Sequence, residues 1–239
     1  MDYHEEVRAA FRRGETDVVM RLSTVELDRA LTAGDQAAEV DALCMLARAA
    51  VRGEDLDEAR RLATAARVVV RGAGDGRLDM GPLHILAACA RMAGDLEAAR
   101  TLYGESIALD ESLDETRMAL VDRHNLAYVE LHSGHPDTAR ELFTGTHRQA
   151  LRLGYDEMVP FMTLGAAVLA AADGDDARAA RLLGAADSAF GALDRIPDPD
   201  DALERETLRE RLLTALGRGP FDAAYAEGAG LDARGALEG

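Results

Sequence analysis

ILAACARMAGDLEAARTLY (85–103) and NLAYVELHSGHPDTARELF (125–143) are two copies of one pattern set forty residues apart. Each opens as an apolar helical run, breaks at Gly94 or Gly134, and resumes as a second run carrying Ala99 and Leu102, or Ala139 and Leu142. A glycine at such a break supplies the left-handed residue with which helices commonly end. Each copy therefore predicts two helices folded back on one another.

The pattern continues outward in both directions. Gly14 and Gly174 extend the glycine column, and its second place falls on Glu54 beside Gly53, which predicts a one-residue slip there. Leu22, Leu62, Leu102, Leu142 and Leu182 share the spacing, as do Ala59, Ala99, Ala139 and Ala179, with Val19 in the first repeat. Small residues recur at Val7, Ala47, Ala87, Ala127 and Ala167. The small column lets paired helices approach closely, and the Leu column fills the space between neighbouring hairpins, a face that one hairpin cannot bury alone.

The predicted fold class is therefore all-α: a right-handed α-solenoid of about five antiparallel helical hairpins with a forty-residue period. The units run about 1–33, 34–73, 74–113, 114–153 and 154–193, and residues 194–239 form capping helices and a tail. Leu62, Leu102, Leu142 and Leu182 are expected to be buried. The glycine-rich GAGDGRLD (72–79) reads as a hinge, and the two prolines of DRIPDPD (194–200) separate array from cap.

Composition agrees. Of 239 residues 48% are hydrophobic and only 4% aromatic, which suits close helix packing rather than aromatic-rich sheets. All 27 basic residues are arginine, so a Walker-A lysine, a Schiff-base lysine and a lysine general base are excluded. A net charge of −17 argues against direct nucleic-acid binding. The first residues lack a signal-peptide pattern and no apolar run approaches membrane-spanning length, so a cytoplasmic protein without membrane contact is expected. Cys44 and Cys89 have no metal-type spacing and read as small buried hydrophobes.

The two quoted segments resemble the tetratricopeptide repeat, with a small residue before a Gly-Asp-type turn, then Ala, then an aromatic. The stretch from about 113 to 237 is similar to the C-terminal helical region of large LuxR-type and related actinobacterial ATPase regulators, chiefly through ARAARLLGAADSAFGALD (177–194) and FDAAYAEGAGLDARGAL (221–237). That resemblance implies a sensor or scaffold region without the ATPase and DNA-binding domains. Met1 and a terminal cap read as a complete small protein, a fragment of a larger regulator being the alternative.

In such arrays the first helix of each hairpin lines the concave groove, and the column ten residues before the turn reads His4, Cys44, His84, His124 and Leu164. His84, His124 and Tyr128 are the candidates for acid–base chemistry. No third ligand accompanies the histidines, so no metal is expected, nor any cofactor. Arg8, Arg48 and Arg91, with Arg12 and Arg52, lean towards the same surface in the N-terminal half and would clamp an anionic group, unless neighbouring acids such as Asp41 answer them. In the C-terminal half Asn125, Tyr128, Phe161 and Leu164 would form a pocket wall, unless they are core.

Two function classes follow. A binding or regulatory module would take a peptide, a protein partner or a small ligand, an anionic group included; a homodimer is a further candidate assembly. The alternative is a cofactor-independent enzyme using the groove His and Tyr residues on a natural-product-like substrate.

Overall fold

The structure, a computed structural model, describes residues 2–238, and among these residues it is helical throughout, with no strand. The helices are α1 (Tyr3–Arg12), α2 (Thr16–Ala33), α3 (Gln36–Arg52), α4 (Leu56–Ala73), α5 (Met80–Met92), α6 (Leu96–Ser112), α7 (Thr116–His132), α8 (Pro136–Leu153), α9 (Val159–Ala172), α10 (Asp176–Ala192), α11 (Pro199–Leu216), α12 (Arg218–Ala229) and α13 (Ala233–Glu238). Short 3-10 turns at Gly76–Asp79 and Asp156–Met158 lead into α5 and α9.

The chain forms two compact units, one ending at Asn125 and one starting at Leu126, with the division inside α7. In the first, α1 to α6 each pack on the next and α3 also packs on α5, the stacking of a helical solenoid. In the second, α8 packs on α9 and α9 on α10, while α11 and α13 lie on both α9 and α10 and α12 lies on α10 and α11. The expected cap is thus built onto the last hairpin of the second unit. Its final helix, α13, falls in the stretch read from sequence as a tail.

Chain reversal has a period of twenty residues. Positive φ occurs at Gly14, Gly34, Glu54, Gly74, Gly94, Asp114, Gly134, Gly154, Gly174 and Asp194, one residue after or between each successive pair of helices. The predicted slip at Gly53 does not exist. Gly53 has φ −83° and Glu54 itself takes the left-handed conformation at φ 62°. Glu54 N–H donates to Val51 O (3.0 Å) and Asp55 N–H to Ala50 O (3.0 Å), the bond pair of a Schellman cap, so register is kept and the strain falls on a residue with a Cβ. The next residue then starts the following helix: Asp55 Oδ1 accepts from Glu58 N at 3.0 Å, as Asp35, Asp95 and Asp175 do from Ala38, Ala98 and Arg178. A Gly-Asp pair thereby ends one helix and caps another.

The small columns are buried as predicted, from Val7 to Ala167 and from Val19 to Ala179. The Leu column is corrected in part. Leu62 and Leu182 are buried, but Leu22, Leu102 and Leu142 are half-buried, because the side chain aimed fully inward is one position on, about 100° further round the helix. That position holds Ser23, Ala63, Tyr103, Phe143 and Leu183, none more than 1% exposed.

α10 and α12 meet backbone to backbone. A Cβ on Gly184 would lie 2.1 Å from Tyr225 O, and one on Gly228 1.8 Å from Arg181 O. Neither contact can be relieved by a side-chain rotation, so Gly228→Ala must separate the two helices. The expected outcome is a loss of several kcal/mol, read as a lower urea midpoint, since overpacking of this kind exceeds the usual cost of roughly 1–3 kcal/mol. Glu54→Gly should move the midpoint the other way, by about 1 kcal/mol, the cost of a left-handed non-glycine residue. A neutral result at Glu54 would show that the cap is not strained.

Candidate functional site

The repeat register exposes the site. At the position of Asp110 the other repeats carry Ala30, Val70, Ala150 and Phe190, all buried. At that of Asp122 the second, third and fifth repeats carry Ala42, Pro82 and Met162, again buried, and the first carries Asp2, which is exposed. Arg91 is buried where the other repeats have Phe11, Val51, Leu131 and Ala171. Three ionisable residues therefore replace apolar core residues in one stretch of the chain, from α5 to α7. Buried charge is costly without partners, and such positions are ordinarily apolar.

Asp110 is on α6 with Tyr103 and Ser106, which share one face of that helix at three- and four-residue spacing. All three are at most 1% exposed. Asp122, on α7, accepts a hydrogen bond from His84 on α5 at 2.5 Å; a carboxylate can only accept, so we assign the shared proton to Nδ1. The His84 side chain retains 15% exposure and is the member of the group that reaches solvent. Its ring meets Tyr103 edge-on at 6.4 Å. Both oxygens of Asp110, Oδ2 of Asp122 and Oγ of Ser106 are buried without a hydrogen-bond partner among the described residues.

Burial, first, and then the neighbouring Asp122 charge push the Asp110 carboxyl up from 3.8 to about 7; Glu115 acts in the same direction and His84 against it. Asp122 was not singled out from sequence, nor was Asp110. The signal was available in the forty-residue columns, where an acid interrupts an apolar series.

The sequence candidates are distributed as follows. His84 is joined to Asp122, and His124 and Asn125 are buried on α7 within the first unit. The groove column is therefore not an open lining: Cys44, His124 and Leu164 are all buried, and only His4 and His84 reach solvent. Arg8 approaches Asp41 at 3.7 Å, beside His4, which contacts the same carboxylate at 3.1 Å. Arg48 and Arg52 lie over the Phe11 ring at 5.7 and 4.6 Å. Tyr128 packs edge-on against Phe143 at 5.0 Å in the core of the second unit, where Leu164 also lies. Phe161 sits between Phe190, at 4.9 Å, and the Arg195 guanidinium, at 4.4 Å. Among the described residues no group of three or more His, Cys, Asp or Glu is placed to hold a metal ion.

The second unit has an open cleft of about 370 Å³ between α9, α10 and the start of α13, lined by Val159, Pro160, Ala189 and Leu193. Its charged end is closed internally, Arg234 donating to Asp156 at 2.7 Å.

No protein-family model matches the chain, and no curated protein matches it. Among solved structures it is similar to BtubC (BKLC) from P. vanneervenii, with a TM-score of 0.58 and 17% identity over 100% of this chain and 93% of that one. At that identity the likeness shows a common helical fold.

Because folding favours the protonated Asp110, its contribution to stability is complete below the ordinary carboxylate range and is lost as pH rises from about 4 to about 7. Asp110→Val, the residue of the preceding repeat, removes that loss. Thermal melts of both proteins between pH 4 and pH 8 should show the variant's advantage growing with pH. A pH-independent difference would mean that Asp110 titrates as it does in the unfolded chain.

Proposed function

We propose that the chain is a tetratricopeptide-type binding or regulatory module, and that its recognition site is the polar group of Asp110, Asp122, Ser106 and His84. The observation that carries this reading is the replacement of apolar core residues by acids at two register positions of a repeat otherwise packed with Ala, Val, Phe and Met. A fold gains nothing in stability from such residues, and functional sites are where these costs are tolerated. Solenoids present ligand sites along their stacked hairpins, which suits the location. The arginines offered from sequence as an anion clamp carry less weight, since Asp41 and the Phe11 ring already answer three of them.

The resemblance of the C-terminal half to LuxR-type regulators supports a sensor role, the hairpins transmitting occupancy to a partner protein. No helix of the described residues is long and apolar enough to cross a membrane; a cytoplasmic location is part of the proposal. The second reading is a cofactor-independent enzyme, favoured by the 2.5 Å His84–Asp122 pair beside the Asp110 carboxyl, which is pushed up to about 7.

Mass spectrometry of small molecules released from natively purified protein tests both. A bound species present in wild type and absent from Asp110→Val, with the variant folded and more stable, supports the module. Conversion of that species on incubation selects the enzyme. Identical small-molecule content in the two proteins would remove Asp110 from any binding site.

A further inference from the structure

The hydrogen-bonding inventory of this site specifies the kind of group it accepts. Resting on the binding reading above, we propose that the site takes a primary ammonium group on an unbranched alkyl chain, from a free amine or a lysine side chain.

The atoms buried without partners are chiefly acceptors: Asp110 Oδ1 and Oδ2 and Asp122 Oδ2, with Ser106 Oγ, and Asp110 while it is protonated, able to donate. A ligand that completes them has to bring donors. An alkylammonium has three N–H donors and no acceptor, and its positive charge offsets the desolvated Asp110 carboxylate, which no ion pair among the described residues compensates, beside Asp122, which holds His84 through one oxygen. An anionic ligand would add a further negative charge beside two carboxyl groups, and a neutral acceptor-rich one would bring no donors. The protein cannot supply the ammonium from its own side chains, since its basic residues are all arginine.

Each residue has a distinct part. Asp110 is the charge partner, on the face of α6 that also carries Ser106. Asp122 is shared: Oδ1 holds His84, and Oδ2 is buried without a partner among the described residues. His84 is the member that reaches solvent, and its bond to Asp122 keeps the ring in one orientation. Tyr103, packed edge-on to His84, supplies an aromatic neighbour for the alkyl stem.

Binding is linked to protons with a defined sign. Alkylammonium groups stay protonated to about pH 10, whereas Asp110 must lose its proton to pair with one. Affinity therefore rises with pH between about 5 and 8, and binding below 7 releases a proton.

The test is isothermal titration of the full chain with putrescine and with Nα-acetyl-lysine amide, against 1,4-butanediol and succinate as neutral and anionic four-carbon controls, at pH 5.5 and pH 8 in two buffers of different ionisation enthalpy. The expected result is binding of one or both ammonium compounds and of neither control, tighter at pH 8, with proton release at pH 5.5. Putrescine alone identifies a free amine, and the lysine amide alone identifies a protein side chain. Asp110→Asn should weaken binding tenfold or more, the scale of a lost charge-assisted bond of roughly 1.5–3 kcal/mol, and Asp110→Val should abolish it. Absence of binding by both ammonium compounds, equal binding of succinate, or unchanged affinity in Asp110→Asn overturns the proposal. If the species found by mass spectrometry still depends on Asp110 while the ammonium compounds do not bind, the ammonium assignment fails and the binding site stands.

Discussion

A single left-handed residue, recurring every twenty positions from Gly14 to Asp194, governs the rest of this structure. Each reversal ends a helix with its carbonyls satisfied and, wherever Asp follows, caps the next one. Equal spacing gives helices of near-equal length, so a given face in one hairpin recurs at the same height in the next. That is why Val7, Ala47, Ala87, Ala127 and Ala167 are all fully buried despite being forty residues apart. A slip of one residue would rotate a face by about 100° and present polar side chains to the core. Glu54 accepts an unfavourable φ rather than allow that slip, which ranks register above local backbone preference.

Against this regularity Asp110 and Asp122 stand out. They lie where most repeats carry apolar residues, and among the described residues neither is paired with an arginine as Asp79 is with Arg67 at 2.9 Å or Asp187 with Arg205 at 2.6 Å. His84 partners one oxygen of Asp122, and the rest of the acceptor capacity faces inward. A repeat protein tolerates such a defect because stability is shared among neighbouring hairpins.

The second unit handles its polar groups differently. Glu130 is buried but bonded to His135 at 2.8 Å, His132 contacts Glu204 at 2.9 Å, and burial lowers His147 to about 4 so that it stays neutral. Its last hairpin is sealed by the α10–α12 contact, where Gly184 and Gly228 allow backbones to touch. Glu130 and Glu204 of this unit are thus held by histidines, whereas Asp110 has no such bond among the described residues.

The sequence alone determined the helical class, the forty-residue period, nearly every helix and the buried small columns, because these depend on local rules: helix periodicity, glycine at reversals, and repetition itself. It also pointed to His84. What it could not determine was which of two adjacent helical positions is fully enclosed, as between Leu102 and Tyr103, since that turns on the angle at which hairpins stack. Nor could it tell the groove from the core, so His124, Tyr128 and Leu164 read as lining when they are packed. The pairing of His84 with Asp122, almost forty residues apart in sequence, and the burial of Asp110 near both were decided by tertiary structure. Burial and proximity are properties of the packed whole, and they alone turn an ordinary surface-type residue into an acceptor that needs a partner.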